Sequence, residues 1–145
     1  MGKRGIGLKK KEGDLITPKG LFKIKYILYR KDRIELQTKI KTIPIKRSMG
    51  WCDDSRSNKY NKLIKLPFKY SCEKLYKKEN IYDIVLVLNY NMNPVVKNRG
   101  SAIFIHVARK NYKKTEGCVA LRKKHLLEIV KLMKSNTMIK IENQI

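Results

Sequence analysis

Apolar residues at every second position after a turn mark the first strand. In "TPKGLFKIKYILYR" Pro18 presets one turn dihedral and Gly20 tolerates a positive one, so residues 17–20 reverse the chain. Phe22, Ile24, Tyr26 and Leu28 then alternate with Lys23 and Lys25, the period of a strand with one packed and one wet face. "DRIELQTKIKTIPIK" alternates through Ile34, Leu36 and, after a slip in register, Ile40, and predicts one or two further strands ended by Pro44. "IYDIVLVLNYN" is apolar enough for a central strand. "SAIFIHVA" predicts another, with Ile103, Ile105 and Val107 on one face and Ala102, Phe104, His106 and Ala108 on the other. Between 121 and 134 the period lengthens: Leu126, Leu127, Val130 and Met133 form a helical stripe, with Lys131 and Lys134 suited to the helix C-terminal charge. "TMIKIEN" closes the chain as a strand, "GWCDDSRSNKYNK" and "NMNPVVKNRG" read as loop and turn, and "SCEKLYKKEN" has room for a short second helix. About six strands with one or two helices make a mainly β fold.

At 145 residues, with no repeat, Pro-rich linker or low-complexity tract, one domain with one core is expected. We divide it into a basic N-terminal segment, 1–11, and a domain at 12–145. No apolar stretch approaches the roughly 18 residues of a membrane span, and "MGKRGIGLKKKEGD" has no apolar core of a secretory signal. Ile6 stands where a myristoylation signal needs Ser or Thr.

Charge narrows the picture less than its size suggests. Lys plus Arg outnumber Asp plus Glu by 35 to 12, but 27 of the basic residues are lysines scattered over nearly the whole chain. Lysine is a hydrated point charge without the fork by which Arg reads guanine. The excess fits a solvated surface in a lysine-rich composition, or an anionic partner such as a wall polymer, a membrane or a nucleic acid. Cys52, Cys72 and Cys118 are an odd number without a C-x-x-C pair, and their spacing with His106 and His125 lacks the rhythm of a zinc site. No metal and no cofactor are expected.

The chemistry lies in "SAIFIHVARKNYKKTEGCVAL". A cysteine attacks as thiolate and gains from a neighbouring imidazole or positive potential. Eleven residues separate His106 from Cys118, enough for the chain to loop and return toward the strand end. That loop carries Arg109, Lys110, Lys113 and Lys114, which favour the thiolate, and Thr115, which can hydrogen-bond within it. Gly117 lets substrate approach the backbone, with nearby N–H groups aimed at a developing oxyanion. Spacing leaves a second reading open, a buried free cysteine beside a satisfied histidine.

The segment resembles the active-site signature of the L,D-transpeptidase catalytic domain (YkuD-like) family: histidine, a variable loop, then Ser or Thr, any residue, Gly and Cys. The matching residues are His106, Thr115, Gly117 and Cys118. "EGDLITPKGLF", "MGWCDDSRSNKYNKLIKLPF", "YDIVLVLNYN" and "NRGSAIFIHVA" extend the resemblance over roughly 12–143. It implies a YkuD-like β-sandwich or barrel-type domain in which Cys118 attacks a stem-peptide carbonyl of peptidoglycan, forms a thioester and passes the acyl group to an amine. In a typical member this joins two meso-diaminopimelate residues. His106 would carry the proton, and the Gly117 and Cys118 amides would form the oxyanion hole. Asp53, Asp54, Trp51 and Arg109 are weaker candidates for substrate contact, against a bland reading of the two aspartates as turn residues and of the tryptophan as a core anchor. No Asp or Glu stands where it would orient His106, which points to a backbone carbonyl.

The sequence departs from the commoner motif at Glu116 (histidine in many members), Ala120 (Arg or Asn) and Val107 (often glycine). The contacts of those side chains therefore do not transfer. Two rival functions remain, hydrolysis of the same bond and a non-enzymatic basic module for nucleic acid or another anionic polymer; under the resemblance a nucleic acid partner is not expected. The resemblance places the protein in the cell envelope or periplasm, whereas the lack of a signal segment allows a cytoplasmic location. The sequence is silent on oligomeric state.

Overall fold

The protein is described by a computed structural model over residues 1–143. Its strands are β1 (Ile6–Gly7), β2 (Thr17–Pro18), β3 (Gly20–Tyr29), β4 (Thr42–Pro44), β5 (Met49–Cys52), β6 (Leu63–Lys65), β7 (Cys72–Lys74), β8 (Ile84–Leu88), β9 (Phe104–Val107) and β10 (Val119–Leu121). The helix α1 (Lys123–Leu132) and β11 (Met138–Ile141) follow. The fold is mainly β, as the pattern predicts, with one helix and several sheets.

The main sheet runs β10-β9-β8-β3-β11, and β4 shares the outer edge of β3 with β11. β8 is apolar at every position and buried on both faces, as expected of a central strand. Ile84, Leu86 and Leu88 point to one core with Ile103, Ile105, Val107 and the helix residues Leu126 and Val130. Val85 and Val87 point to a second core with Phe104, Leu75, Tyr82 and Trp51. The Trp51 ring meets Phe104 edge-on, centroids 5.2 Å apart. Across that second core lies a small sheet in the order β6-β5-β7. The main sheet is thus covered by α1 on one face and by the small sheet on the other.

In β3 the alternation read from sequence changes phase. Phe22 and Ile24 pack in the first core, but Tyr26 and Leu28 pack in the second, and Ile27 joins the first. Ile24 pairs with Leu88 and Tyr26 with the adjacent Val87, so Lys25 is an extra residue in the ladder. Such a bulge moves every later side chain to the opposite face.

Residues 32–41 form no strand. β4 runs parallel to β3, and parallel neighbours need a crossover, which this segment supplies. Its alternation still reports burial, because Ile34, Leu36 and Ile40 pack on the first core. The expected short helix in "SCEKLYKKEN" is instead β7 and then a single 3₁₀ turn at Asn80–Tyr82, and part of the expected loop at 50–62 is β5. The basic segment 1–11 packs into the domain: β1 pairs with β2, and the Lys3 N–H donates to the Thr115 carbonyl at 2.9 Å. Among the described residues no helix is long and apolar enough to cross a membrane.

Candidate active site

Register brings the histidine and the cysteine to one face. β10 lies parallel to β9, with Val119 opposite Ile105 and Ala120 opposite His106. Cys118 therefore falls beside Phe104, two rungs from His106 and on the same side of the sheet. With strands about 4.8 Å apart and a rise of about 3.3 Å per residue, the two Cα atoms are diagonal neighbours about 8 Å apart. Ala120, directly opposite His106, adds only a methyl group between them. Both residues line a cavity of about 740 Å³ that also receives Thr115, Gly117, Arg109 and Asp53.

The imidazole is fixed in one tautomer. His106 is buried, and its Nδ1 lies 2.9 Å from the Val107 carbonyl, which can only accept, so the neutral ring carries its proton on Nδ1. Nε2 is left as a base. The backbone carbonyl expected from sequence is this one. Tyr82 stands edge-on to the ring, centroids 5.6 Å apart. Burial pushes the His106 pKa below its ordinary value, opposed by the Val107 carbonyl and helped by the Arg109 charge.

Cys118 Sγ donates to the Ala102 carbonyl at 3.1 Å and accepts from the Phe104 N–H at 3.4 Å. Removal of the sulfur from water pushes its pKa up to about 11. The expectation that loop cations favour the thiolate is corrected by this balance. Arg109, Lys113 and Lys114 are exposed and screened, whereas desolvation acts on the sulfur itself. The resting pair is therefore neutral thiol and neutral imidazole, and the thiol proton points at a carbonyl.

Ala102 holds that carbonyl in place at the cost of a left-handed backbone, φ 52°. Asn61 secures it. Its Oδ1 accepts from the Ala102 N–H and from Trp51 Nε1, each at 3.0 Å, while Nδ2 donates to the Tyr90 and Asn91 carbonyls. We expect Asn61→Ala to lower stability by about 2–4 kcal/mol in denaturant unfolding, because it orphans buried donors in one connected network.

Gly117 has φ 138°, and a Cβ there would lie 3.0 Å from the Ile16 carbonyl, so glycine is required by conformation and by space. Thr115 ties the turn, donating to the Cys118 carbonyl at 2.5 Å and accepting from the Gly117 N–H at 3.3 Å. Behind Gly117 the buried Lys9 ammonium pairs with Asp14 at 2.5 Å. Burial raises the Asp14 pKa, but Lys9 and the N–H groups of Lys10, Ile16 and Lys11 outweigh it and hold the carboxyl well below the usual range.

The weaker candidates divide. Asp53 and Arg109 line the cavity. Trp51 is core, 1% exposed, and Asp54 is a turn residue whose carboxylate takes Arg56 at 2.6 Å. Glu73 and Tyr82 line the cavity without having been singled out in the sequence, where nothing distinguishes them from surface acid and core aromatic. His125 is exposed on α1. Among the described residues no group of three or more His, Cys, Asp or Glu is placed to hold a metal ion.

No curated protein and no solved structure shows significant similarity to the chain. A family model does: that of the L,D-transpeptidase catalytic domain (YkuD) matches residues 1–141, and the chain belongs to that family.

Proposed function

We propose that the protein is a cysteine acyltransferase acting on peptidoglycan stem peptides in the cell envelope, with Cys118 as nucleophile and His106 as base. The reading is supported above all by the shared face of β9 and β10, which turns a thiol and a base of fixed tautomer into one cavity.

The reaction starts with rotation of the Cys118 side chain away from the Ala102 carbonyl. Its proton passes to His106 Nε2 as sulfur attacks the substrate carbonyl carbon. Negative charge moves to the carbonyl oxygen, and the Cys118 N–H, joined by the Gly117 N–H as it leaves Thr115, stabilises it. Collapse breaks the C–N bond, and the imidazolium returns its proton to the departing amine. A thioester remains. An acceptor amine attacks it, gives its proton to His106 and releases the Cys118 sulfur, which regains the proton. Neutral His106 suits this cycle, since it must accept before it donates.

Incubation with a disaccharide tetrapeptide, followed by mass spectrometry, tests the proposal. We expect a cross-linked dimer and a transient acyl adduct on Cys118. Tripeptide without dimer assigns hydrolysis instead, and a folded protein that yields neither adduct nor product overturns the reading.

A further inference from the structure

The cavity has an acidic side that the proposed chemistry does not use. In β5 and β7, Trp51 pairs with Glu73 and Cys52 with Cys72, and the Asp53 N–H extends this ladder by donating to the Ser71 carbonyl at 3.3 Å. Side chains alternate across a strand, so Asp53 and Glu73 share the face on which Trp51 meets Phe104. That face looks toward the one carrying His106 and Cys118, and all four residues line the same cavity.

Asp53 differs from the other four aspartates of this lysine-rich chain, each of which has a basic partner. Asp14, Asp32, Asp54, Asp83, Glu73 and Glu142 each have a Lys or Arg partner within 4.0 Å; Asp53 has none among the described residues. Its Oδ1 is also a buried side-chain oxygen with no hydrogen-bond partner among the described residues. Asp53 is half-buried, but a carboxylate oxygen shut away from water without a donor is costly, and a cation brought beside it removes that cost. Glu73 supports the same side: one oxygen takes Lys77 at 2.7 Å and the Tyr82 hydroxyl at 3.2 Å. Arg109, Lys113, Lys114 and Glu116 line the loop side, and Lys77 lines the side of Glu73, so Asp53 is the carboxylate of that side left without a basic partner.

We propose that Asp53, backed by Glu73, forms a subsite for a primary ammonium group of the substrate, facing the Cys118–His106 pair. This rests on the acyl-transfer reading and adds what that reading lacks, a reason for an amine to be held near the thioester in preference to water: an acceptor docks as ammonium, loses its extra proton to solvent by way of the Asp53 carboxylate, and attacks as the neutral amine. The ammonium belongs either to the acceptor or to a side chain of the donor, and the two steps of the reaction separate these sources.

The test compares charged and N-acetylated substrates on wild type, Asp53→Asn and Asp53→Glu. Donor acylation of Cys118 is read by intact mass, and the thioester is then partitioned between amine and water. An acceptor subsite predicts that D53N acylates normally but needs about tenfold more acceptor, with dimer falling relative to tripeptide and D53E partly restoring it. A donor subsite predicts that wild type acylates about tenfold faster with the charged donor than with its acetylated form, and that D53N erases the difference. Equal behaviour of charged and acetylated substrates in wild type, at both steps, overturns the subsite. A readout that needs no turnover keeps this independent of the transferase proposal: Nα-acetyl-lysine should slow iodoacetamide alkylation of Cys118 in wild type and not in D53N, with diacetyl-lysine inert. Protection without any acylation sinks the proposed reaction and keeps the subsite; acylation without charge discrimination does the reverse.

Discussion

Under the proposed function, alanine at position 118 should lower acyl transfer by about 10⁴-fold or more and leave the fold intact. No other group in the cavity supplies a nucleophile of comparable power, and loss of a covalent catalyst removes the whole two-step route rather than one contact. The structural cost is small because Cys118 is only partly buried and its thiol makes two long contacts with backbone. Thermal unfolding should shift by a few degrees at most. Cys72→Ala is the control: it removes another partly exposed thiol, from the small sheet, and should leave turnover unchanged.

The same side chain has a distinct reactivity profile. With its pKa pushed up to about 11 by burial, the Cys118 thiolate fraction at pH 7 is about 10⁻⁴. Alkylation by iodoacetamide should therefore be slow at neutral pH and rise about tenfold per unit up to that value. Substrate-driven acylation should proceed at neutral pH, because His106 takes the proton only as the carbonyl arrives. An alkylation rate already at its plateau by pH 7 would mean a preformed thiolate–imidazolium pair and contradict the geometry of the Ala102 contact.

Periodicity revealed the elements that burial alone dictates. β8, β9 and α1 follow from runs whose apolar spacing matches one period, and in "SAIFIHVA" Ile103, Ile105 and Val107 pack in one core, Ala102 and Phe104 in the other, with His106 lining the cavity. What periodicity missed depends on pairing at a distance. β5, β7 and β10 are three or four residues long, too short for a period, and exist because another strand supplies the ladder. The bulge at Lys25 carries no sequence mark such as glycine, so the phase change in β3 was invisible. At the site, order along the chain named His106 and Cys118, and the parallel register of β9 and β10 adds their common face. Glu73 and Tyr82 enter the cavity only because β7 and the turn after it fold across Phe104. Charge was the least faithful guide: the loop cations are real, but their reach is weaker than desolvation of one sulfur.

Glutamine at position 106 should lower turnover by about 10²–10⁴-fold, since its amide fills similar space but accepts no proton. A structural role alone would not predict the accompanying change in pH dependence. In wild type, burial holds the His106 pKa below its ordinary value of 6.5, so the base form persists into mild acid. Activity should rise with pH through that lowered pKa and be flat across neutrality; in the variant this acid limb should vanish. The Arg109 charge also lowers the His106 pKa, so Arg109→Met should move the limb to higher pH, with little effect on the plateau if the donor does not use that guanidinium. Cys118 and His106 act on one proton, and their losses cannot add. The double variant should be no slower than Cys118→Ala alone, because a base has nothing to activate once the thiol is gone. An additive loss would assign the histidine a task outside the proton relay, and a pH profile unchanged by His106→Gln would remove it from the reaction.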